Sequence, residues 1–249
     1  MISAISVRQI TTIIGLGIAA IIGVICAIVI FKRDPHYNAN RFTSLAYLNL
    51  TIAFFINVIY VLINIEEVVA FLHRIANLFG IIAIIFLFLS AMYLSEGEKS
   101  LRSSRMMIIV VNVLLGLGIL FSPGVKVFTG ETALPGSEQY IEWDVLFFLF
   151  ATIPMYFTLS ATCYYYLKVW REIPSNTPAK NACSLIIIGT ILLGFSHFLI
   201  VIPHMLRTLI TEISTLVLIA NFGSIGVLVG ILLVFWGYRT TISGKNSSI

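Results

Sequence analysis

Residues 68–94 read VVAFLHRIANLFGIIAIIFLFLSAMYL, and this run decides the class of the fold. A helix needs about 20 predominantly apolar residues to cross the hydrocarbon core of a bilayer, and the run exceeds that length. Six further apolar runs surround it, at 9–31, 42–64, 105–122, 142–167, 182–205 and 214–238. The sequence therefore predicts an all-α, polytopic membrane protein, a single bundle of seven transmembrane helices that takes up residues 1–249.

The composition agrees with a chain whose solvent is lipid. Hydrophobic residues make up 59% of the sequence and charged residues 10%, and the mean hydropathy is +1.03. A soluble domain of this size could not bury so much apolar surface, whereas a membrane protein need not. We therefore expect the lipid bilayer to be the first partner of the chain and the cell membrane to be its multi-pass location.

Lysine and arginine alternate between the two sides of the predicted bundle. Eleven fall in the connections after spans 1, 3, 5 and 7, and four fall on the other side, at Arg8, Arg74, Lys126 and Arg207. Basic residues concentrate on the cytoplasmic side of membrane proteins. The pattern predicts an amino terminus outside and a carboxyl terminus in the cytoplasm. It also accounts for the basic sequence pI of about 9.0, so no nucleic-acid partner is expected.

Spans 2–3 and 6–7 resemble each other. Span 3 contains Ile75-Ala76-Asn77 followed by Phe79-Gly80, and span 7 contains Ile219-Ala220-Asn221 followed by Phe222-Gly223. Both copies begin on the same side of the membrane. The similarity suggests a parallel repeat of three spans, one linking span and three spans, an arrangement found in several transporter folds.

The same alignment brings polar residues to one depth. Asn57, Asn77, His197 and Asn221 each fall in the outer third of a span, with His73 and His204 near the outer ends of spans 3 and 6. Polar side chains in hydrocarbon need partners and usually face the bundle interior. We interpret these six residues as a candidate ligand-binding site in the outer half. The alternative is that they form hydrogen bonds between helices and only hold the bundle together.

Aromatic residues cluster at the inner ends of spans 5 and 7. They are Tyr164, Tyr165, Tyr166, Trp170, Trp236 and Tyr238. Tyrosine and tryptophan are enriched where a helix leaves the hydrocarbon, so we interpret the group as an interfacial belt. The connection over 123–141, rich in proline and glycine, is predicted to be an ordered loop outside the membrane.

Several kinds of chemistry are not expected. Span 7 has no lysine for a retinal Schiff base, and no span has a carboxylate near its middle, which disfavours a proton-coupled pump. The histidines and cysteines show no metal-ligand spacing. We therefore predict no enzymatic activity, no cofactor and no metal ion.

Part of the chain resembles the seven-span sensor module at the amino terminus of many prokaryotic histidine kinases. The resemblance covers about residues 38–94. It is carried by Asn40-Arg41-Phe42 with Leu45 and Leu48-Asn49-Leu50, then Arg74-Ile75-Ala76 and Phe86-Leu87-Phe88-Leu89. Such modules are usually followed by cytoplasmic signalling domains, which this sequence does not contain. The resemblance implies a stand-alone sensor that signals through a partner protein.

Three functional hypotheses follow. The first is a receptor-like or accessory protein that binds a small lipophilic or polar ligand in its outer half and acts through a membrane or cytoplasmic protein partner. The second is a facilitative small-solute transporter built on the repeat, with Asn77 and Asn221 at its centre. The third is a structural subunit of a larger membrane complex.

Overall fold

The computed structural model describes residues 7–63, 65–97, 99, 106–122, 124–129, 139–206 and 213–241. Those residues form seven helices and one two-stranded sheet. The helices are α1 Val7–Arg33, α2 Asn38–Val61, α3 Glu66–Glu96, α4 Met106–Phe121, α5 Val145–Glu172, α6 Pro178–Leu206 and α7 Ile213–Thr241. The strands β1 Val125–Thr129 and β2 Gln139–Trp143 lie between α4 and α5.

Six of the helices, all except α4, are long and apolar enough to cross a membrane. The prediction of a polytopic helical membrane protein is confirmed at this level. Helix α4 has 16 residues and so spans about 24 Å, which is less than the hydrocarbon thickness of about 30 Å. It stays a prediction that α4 crosses the membrane as a seventh span. The orientation of the chain in the membrane and the internal repeat also stay predictions.

The structure differs from the predicted all-α fold in that it contains a two-stranded sheet. Strands β1 and β2 form an antiparallel hairpin in which Val125 pairs with Trp143 and Lys126 with Glu142. The residues at its tip, 130–138, and Pro123 lie outside the described part of the chain. Because β2 runs to Trp143, the fifth helix begins at Val145 and not at 142 as predicted. Apolar and charged residues alternate in Val125-Lys126-Val127 and in Ile141-Glu142-Trp143, and this short pattern is the strand signal within a turn-rich segment.

The hairpin defines one end of the bundle, which we call the hairpin end. The opposite end, which carries the connections 34–37 and 173–177, is called the turn end. Each end has its own core. At the hairpin end, buried residues of α3, α4, α5, α6 and both strands pack together, among them Val69, Ile119, Phe147 and Val201. At the turn end, buried residues come from α1, α2, α3, α5, α6 and α7. Helix α3 contributes to both cores.

The pairs α2–α3 and α6–α7 are packed more extensively than any other two helices in the described chain. Their interfaces are built differently. On α7, a Cβ at Gly230 would lie 2.9 Å from Leu193 Cγ and 3.0 Å from the Gly189 carbonyl oxygen of α6. On α3, a Cβ at Gly80 would have no neighbouring heavy atom within 4 Å. Backbone-to-backbone approach therefore holds α6 against α7, as is common for small residues in membrane helices.

Candidate functional site

Two of the predicted site residues bond to their own helices. The side-chain nitrogen of Asn57 donates to the Ala53 carbonyl at 2.9 Å, and that of Asn77 donates to the His73 carbonyl at 2.9 Å. Both side chains are half-buried. Each bond runs one helical turn back, so one donor of each amide is satisfied within its own helix.

The other three predicted residues outside α3 have separate surroundings. The Asn221 side chain is exposed on α7. His197, half-buried on α6, lies 3.3 Å from the hydroxyl of Tyr156 on α5. His204 is near the end of α6, and its side chain lies outside the part that the structure describes. Asn77 and the His73 carbonyl form a contact between two of the predicted residues. That the six residues form one ligand-binding site stays a prediction.

His73 occupies the most developed polar site at the hairpin end. Its ring is buried beneath β2, and the indole nitrogen Nε1 of Trp143 donates to His73 Nε2 at 2.9 Å. The hydroxyl of Tyr60 on α2 lies 3.3 Å from His73 Nδ1. The ring of Phe147 on α5 completes the surroundings, with its centroid 6.2 Å from the imidazole centroid. Four elements therefore meet at this histidine.

The chemistry of the partners assigns the protonation state of His73. An indole N–H can only donate, so Nε2 must offer its lone pair and carries no hydrogen. The ring proton then lies on Nδ1, from which it can be donated to the Tyr60 oxygen. The imidazole is neutral in this arrangement.

Trp143 reaches His73 because the hairpin has an apolar face. Alternate residues of an extended strand point to opposite sides. Val125 and Val127 of β1 and Ile141 and Trp143 of β2 are all buried against the helices. Lys126, on the opposite side of the strand, is exposed. The hairpin thus binds the bundle through its apolar face and places one hydrogen-bond donor over α3.

Asp144 fixes the junction between the hairpin and α5. Its carboxylate accepts from the Phe147 backbone nitrogen at 2.7 Å and so caps α5, while its own backbone nitrogen donates to the Gly124 carbonyl at 2.8 Å. A Cβ at Gly124 would collide with the Asp144 carboxylate, so only glycine fits there. An N-terminal cap of this kind contributes about 1 kcal/mol to stability.

A chain of buried hydroxyl groups crosses the turn end. The Tyr166 hydroxyl on α5 lies 2.8 Å from that of Tyr238 on α7, which lies 2.6 Å from Ser90 Oγ on α3. Ser90 Oγ in turn lies 2.8 Å from Thr43 Oγ1 on α2 and donates to the Ala39 carbonyl at 3.0 Å. Four helices are therefore joined by one network.

This network corrects part of the predicted aromatic belt. Tyr164 and Trp236 are exposed by 63% and 54%, as interfacial residues are, but Tyr166 and Tyr238 are each exposed by 1%. Residues two positions apart on a helix point about 200° apart, so they cannot share one environment. The sequence places all of them near the same end of α5 or α7 and does not say which faces the interior.

Two further contacts hold the turn end together. Arg33 at the end of α1 donates to the Tyr238 carbonyl at 2.7 Å, which satisfies a carbonyl in the last turn of α7. Lys168 on α5 pairs with Glu96 at the end of α3 at 3.1 Å. These bonds fix the carboxyl-terminal ends of α3 and α7 to neighbouring helices.

The described ranges contain no group of three or more His, Cys, Asp or Glu side chains that could hold a metal ion. The polar sites around His73 and around Tyr238 are hydrogen-bonded, one towards each end of α3. A comparison of the chain with models of protein families gave no match, and a search of curated proteins gave none either.

Proposed function

We propose that this chain is a receptor-like membrane protein that takes up a signal at the hairpin and delivers it to a partner at the turn end. In this proposal all seven helices cross the membrane, with the hairpin outside and the turn end in the cytoplasm. The distribution of lysine and arginine supports that orientation.

The observation that carries the proposal is the hydrogen bond from Trp143 to His73. It joins a hairpin outside the helical bundle to α3, whose 31 residues extend for about 46 Å. A ligand that displaces the hairpin changes the surroundings of α3 at this bond. Binding can shift a conformational equilibrium only through contacts that differ between two states, and this bond is such a contact.

Helix α3 supports the second half of the proposal because it is anchored at the turn end as well. Ser90 binds Tyr238 of α7, and Glu96 binds Lys168 of α5. A movement of α3 along its axis would strain both contacts. The resemblance of residues 38–94 to a kinase sensor module, which includes α2 and α3, points to a partner protein as the recipient.

The transporter hypothesis is less well supported. A solute that passed between the helices would have to separate the buried hydroxyl chain from Tyr166 to Thr43, which is hydrogen-bonded throughout. Breaking such a network leaves polar groups without partners in an apolar setting, at a cost of about 1–3 kcal/mol for each group. The transporter and complex-subunit hypotheses stay predictions.

The proposal is tested by photocrosslinking in cells from an exposed position at the turn end. A photoreactive amino acid replaces Ser175, and the covalent products are identified by mass spectrometry. We expect one protein partner, captured with a yield that changes severalfold when Trp143→Ala removes the contact to His73.

Lys126→Ala is the matched control, because Lys126 lies on the same hairpin with its side chain exposed. Its crosslinking yield should equal that of the unsubstituted protein. A yield that is the same in both variants would contradict transmission from the hairpin. A protein that crosslinks to no partner from Ser175 would contradict delivery at the turn end.

A further inference from the structure

We propose that His73 is an acid-sensitive latch whose protonation releases Trp143 and loosens the hairpin from α3. The inference rests on the proposed function only in giving that movement a role, since the latch itself follows from the geometry. In chemical terms the ligand is a proton, and its binding site is the Nε2 atom of a buried histidine.

Protonation at Nε2 is incompatible with the observed contact. The neutral ring accepts the indole hydrogen at 2.9 Å. An imidazolium has hydrogens on both nitrogens and can no longer accept, so two N–H groups would face each other. The Trp143 indole would then be left without its acceptor, and one of the two rings must move.

The described contacts of the ring are with aromatic side chains. They are the Tyr60 hydroxyl and the rings of Trp143 and Phe147. A buried charge is costly unless it is paired and hydrogen-bonded. When Trp143 moves away, water can reach and solvate the charged ring, which couples protonation to opening of the hairpin.

Charged residues lie on the elements around the latch, among them Arg74, which follows His73 in α3. On β2, Glu142 pairs in register with Lys126 of β1, on the strand face opposite that of Trp143. Asp144 is engaged as the cap of α5. On α3, Glu66 lies two turns towards the hairpin end, at a rise of about 10 Å from His73. Tyr60 is the titratable group in contact from α2.

Loss of the Trp143 bond loosens the hairpin without expelling it. Val125, Val127 and Ile141 remain buried against the helices and hold the rest of the apolar face in place. The movement is thus centred on the end of β2 that leads into α5. It changes the packing of the hairpin against the helices at the contact of Trp143 with His73.

The latch is tested by nuclear magnetic resonance of the full chain in lipid nanodiscs, with 15N-labelled tryptophan and histidine. Between about pH 7.5 and pH 5, which brackets the titration of an ordinary imidazole, we expect the Nε1–H signal of Trp143 to shift. His73 Nε2 should gain its proton in step with that shift. A His73 ring with an unchanged protonation state over this range would overturn the proposal.

His73→Gln separates the latch from other effects of acid. The glutamine oxygen can accept a hydrogen bond but cannot be protonated in this range, so the Trp143 signal should become independent of pH. His197→Gln is the matched control, because His197 contacts Tyr156 on other helices and its loss should leave the response unchanged. A pH response that persists in His73→Gln would also overturn the latch.

The wild-type measurement stands even if the glutamine variant does not fold, because it follows both partners of one hydrogen bond. The outcomes also separate the two proposals. The Trp143 signal could follow the protonation of His73 while the crosslinking yield from Ser175 is the same in Trp143→Ala and Lys126→Ala. This pair of results would retain the latch and reject the receptor. A Trp143 signal that does not follow the protonation of His73, together with a crosslinking yield that changes in Trp143→Ala, would reject the latch alone.

Discussion

At the scale of single residues, the hydroxyl of Tyr238 is the centre of the turn end. It lies within hydrogen-bond distance of Tyr166 and Ser90, and the same residue offers its backbone carbonyl to Arg33. One side chain thus contacts α3 and α5, and its backbone contacts α1. Because the site is buried, a group that loses its hydrogen bond to Tyr238 has few other hydrogen-bond partners within reach.

Tyr238→Phe should therefore destabilise the protein. The change removes one hydroxyl and leaves those of Tyr166 and Ser90 with fewer partners, so we expect a loss of about 1 kcal/mol, in the range of interhelical hydrogen bonds in membranes. Reversible unfolding in mixed micelles measures it. Tyr164→Phe, at an exposed side chain on α5, is the control and should change stability by much less. Equal losses in both variants would show that the network adds nothing.

At the scale of helices, small residues have opposite roles in the two most extensively packed pairs. Gly230 of α7 is needed for the close approach of α6, whereas Gly80 of α3 has open space around the position of a Cβ. The similar segments Phe79-Gly80 and Phe222-Gly223 differ in the same way, because a Cβ at Gly223 would lie 2.7 Å from the Ser196 carbonyl oxygen of α6. Their packing differs because the neighbouring helices approach at different distances.

Two alanine substitutions distinguish these roles. Gly80→Ala should raise the thermal midpoint, since it restricts the unfolded chain without a clash and is worth about 0.4–1 kcal/mol. Gly230→Ala should lower it, since α6 and α7 must separate, at a cost of about 1–3 kcal/mol. The thermal unfolding of both variants is followed in the same detergent. A midpoint that falls in Gly80→Ala would mean that the space beside α3 is filled in the membrane.

At the scale of the whole molecule, the two cores divide the bundle into a hairpin half and a turn half that share α3, α5 and α6. The positive-inside pattern predicts that the hairpin half lies outside. This orientation underlies the proposed direction of signalling, and it can be measured independently of any partner.

Cysteines introduced at each end report the orientation. In intact cells, a membrane-impermeant maleimide should label Lys126→Cys on the hairpin and leave Ser175→Cys unlabelled until the cells are opened. The native Cys26 and Cys183 are buried and Cys163 is half-buried, so the unsubstituted chain supplies the background. Labelling of Ser175→Cys in intact cells, with protection of Lys126→Cys, would invert the assignment.

The sequence by itself determined that this chain is a helical membrane protein and where most of its helices lie. The ability to cross a bilayer depends on the length and polarity of a continuous segment, so it can be evaluated one segment at a time. The run at 68–94 becomes α3 with two more residues at each end. The depth of the tyrosines and histidines along their helices follows from the same local count.

Only the tertiary structure decided which polar groups meet. Asn77 and His73 are both polar residues of α3. The Asn77 side chain donates to a carbonyl of its own helix, whereas the His73 ring accepts from a tryptophan 70 positions away. Tyr238 is buried and Trp236 is exposed although they differ by two residues. Such choices depend on the rotation of each helix against its neighbours and on where the hairpin binds. Both are set by contacts between segments distant in the chain, and no local pattern in the sequence records them.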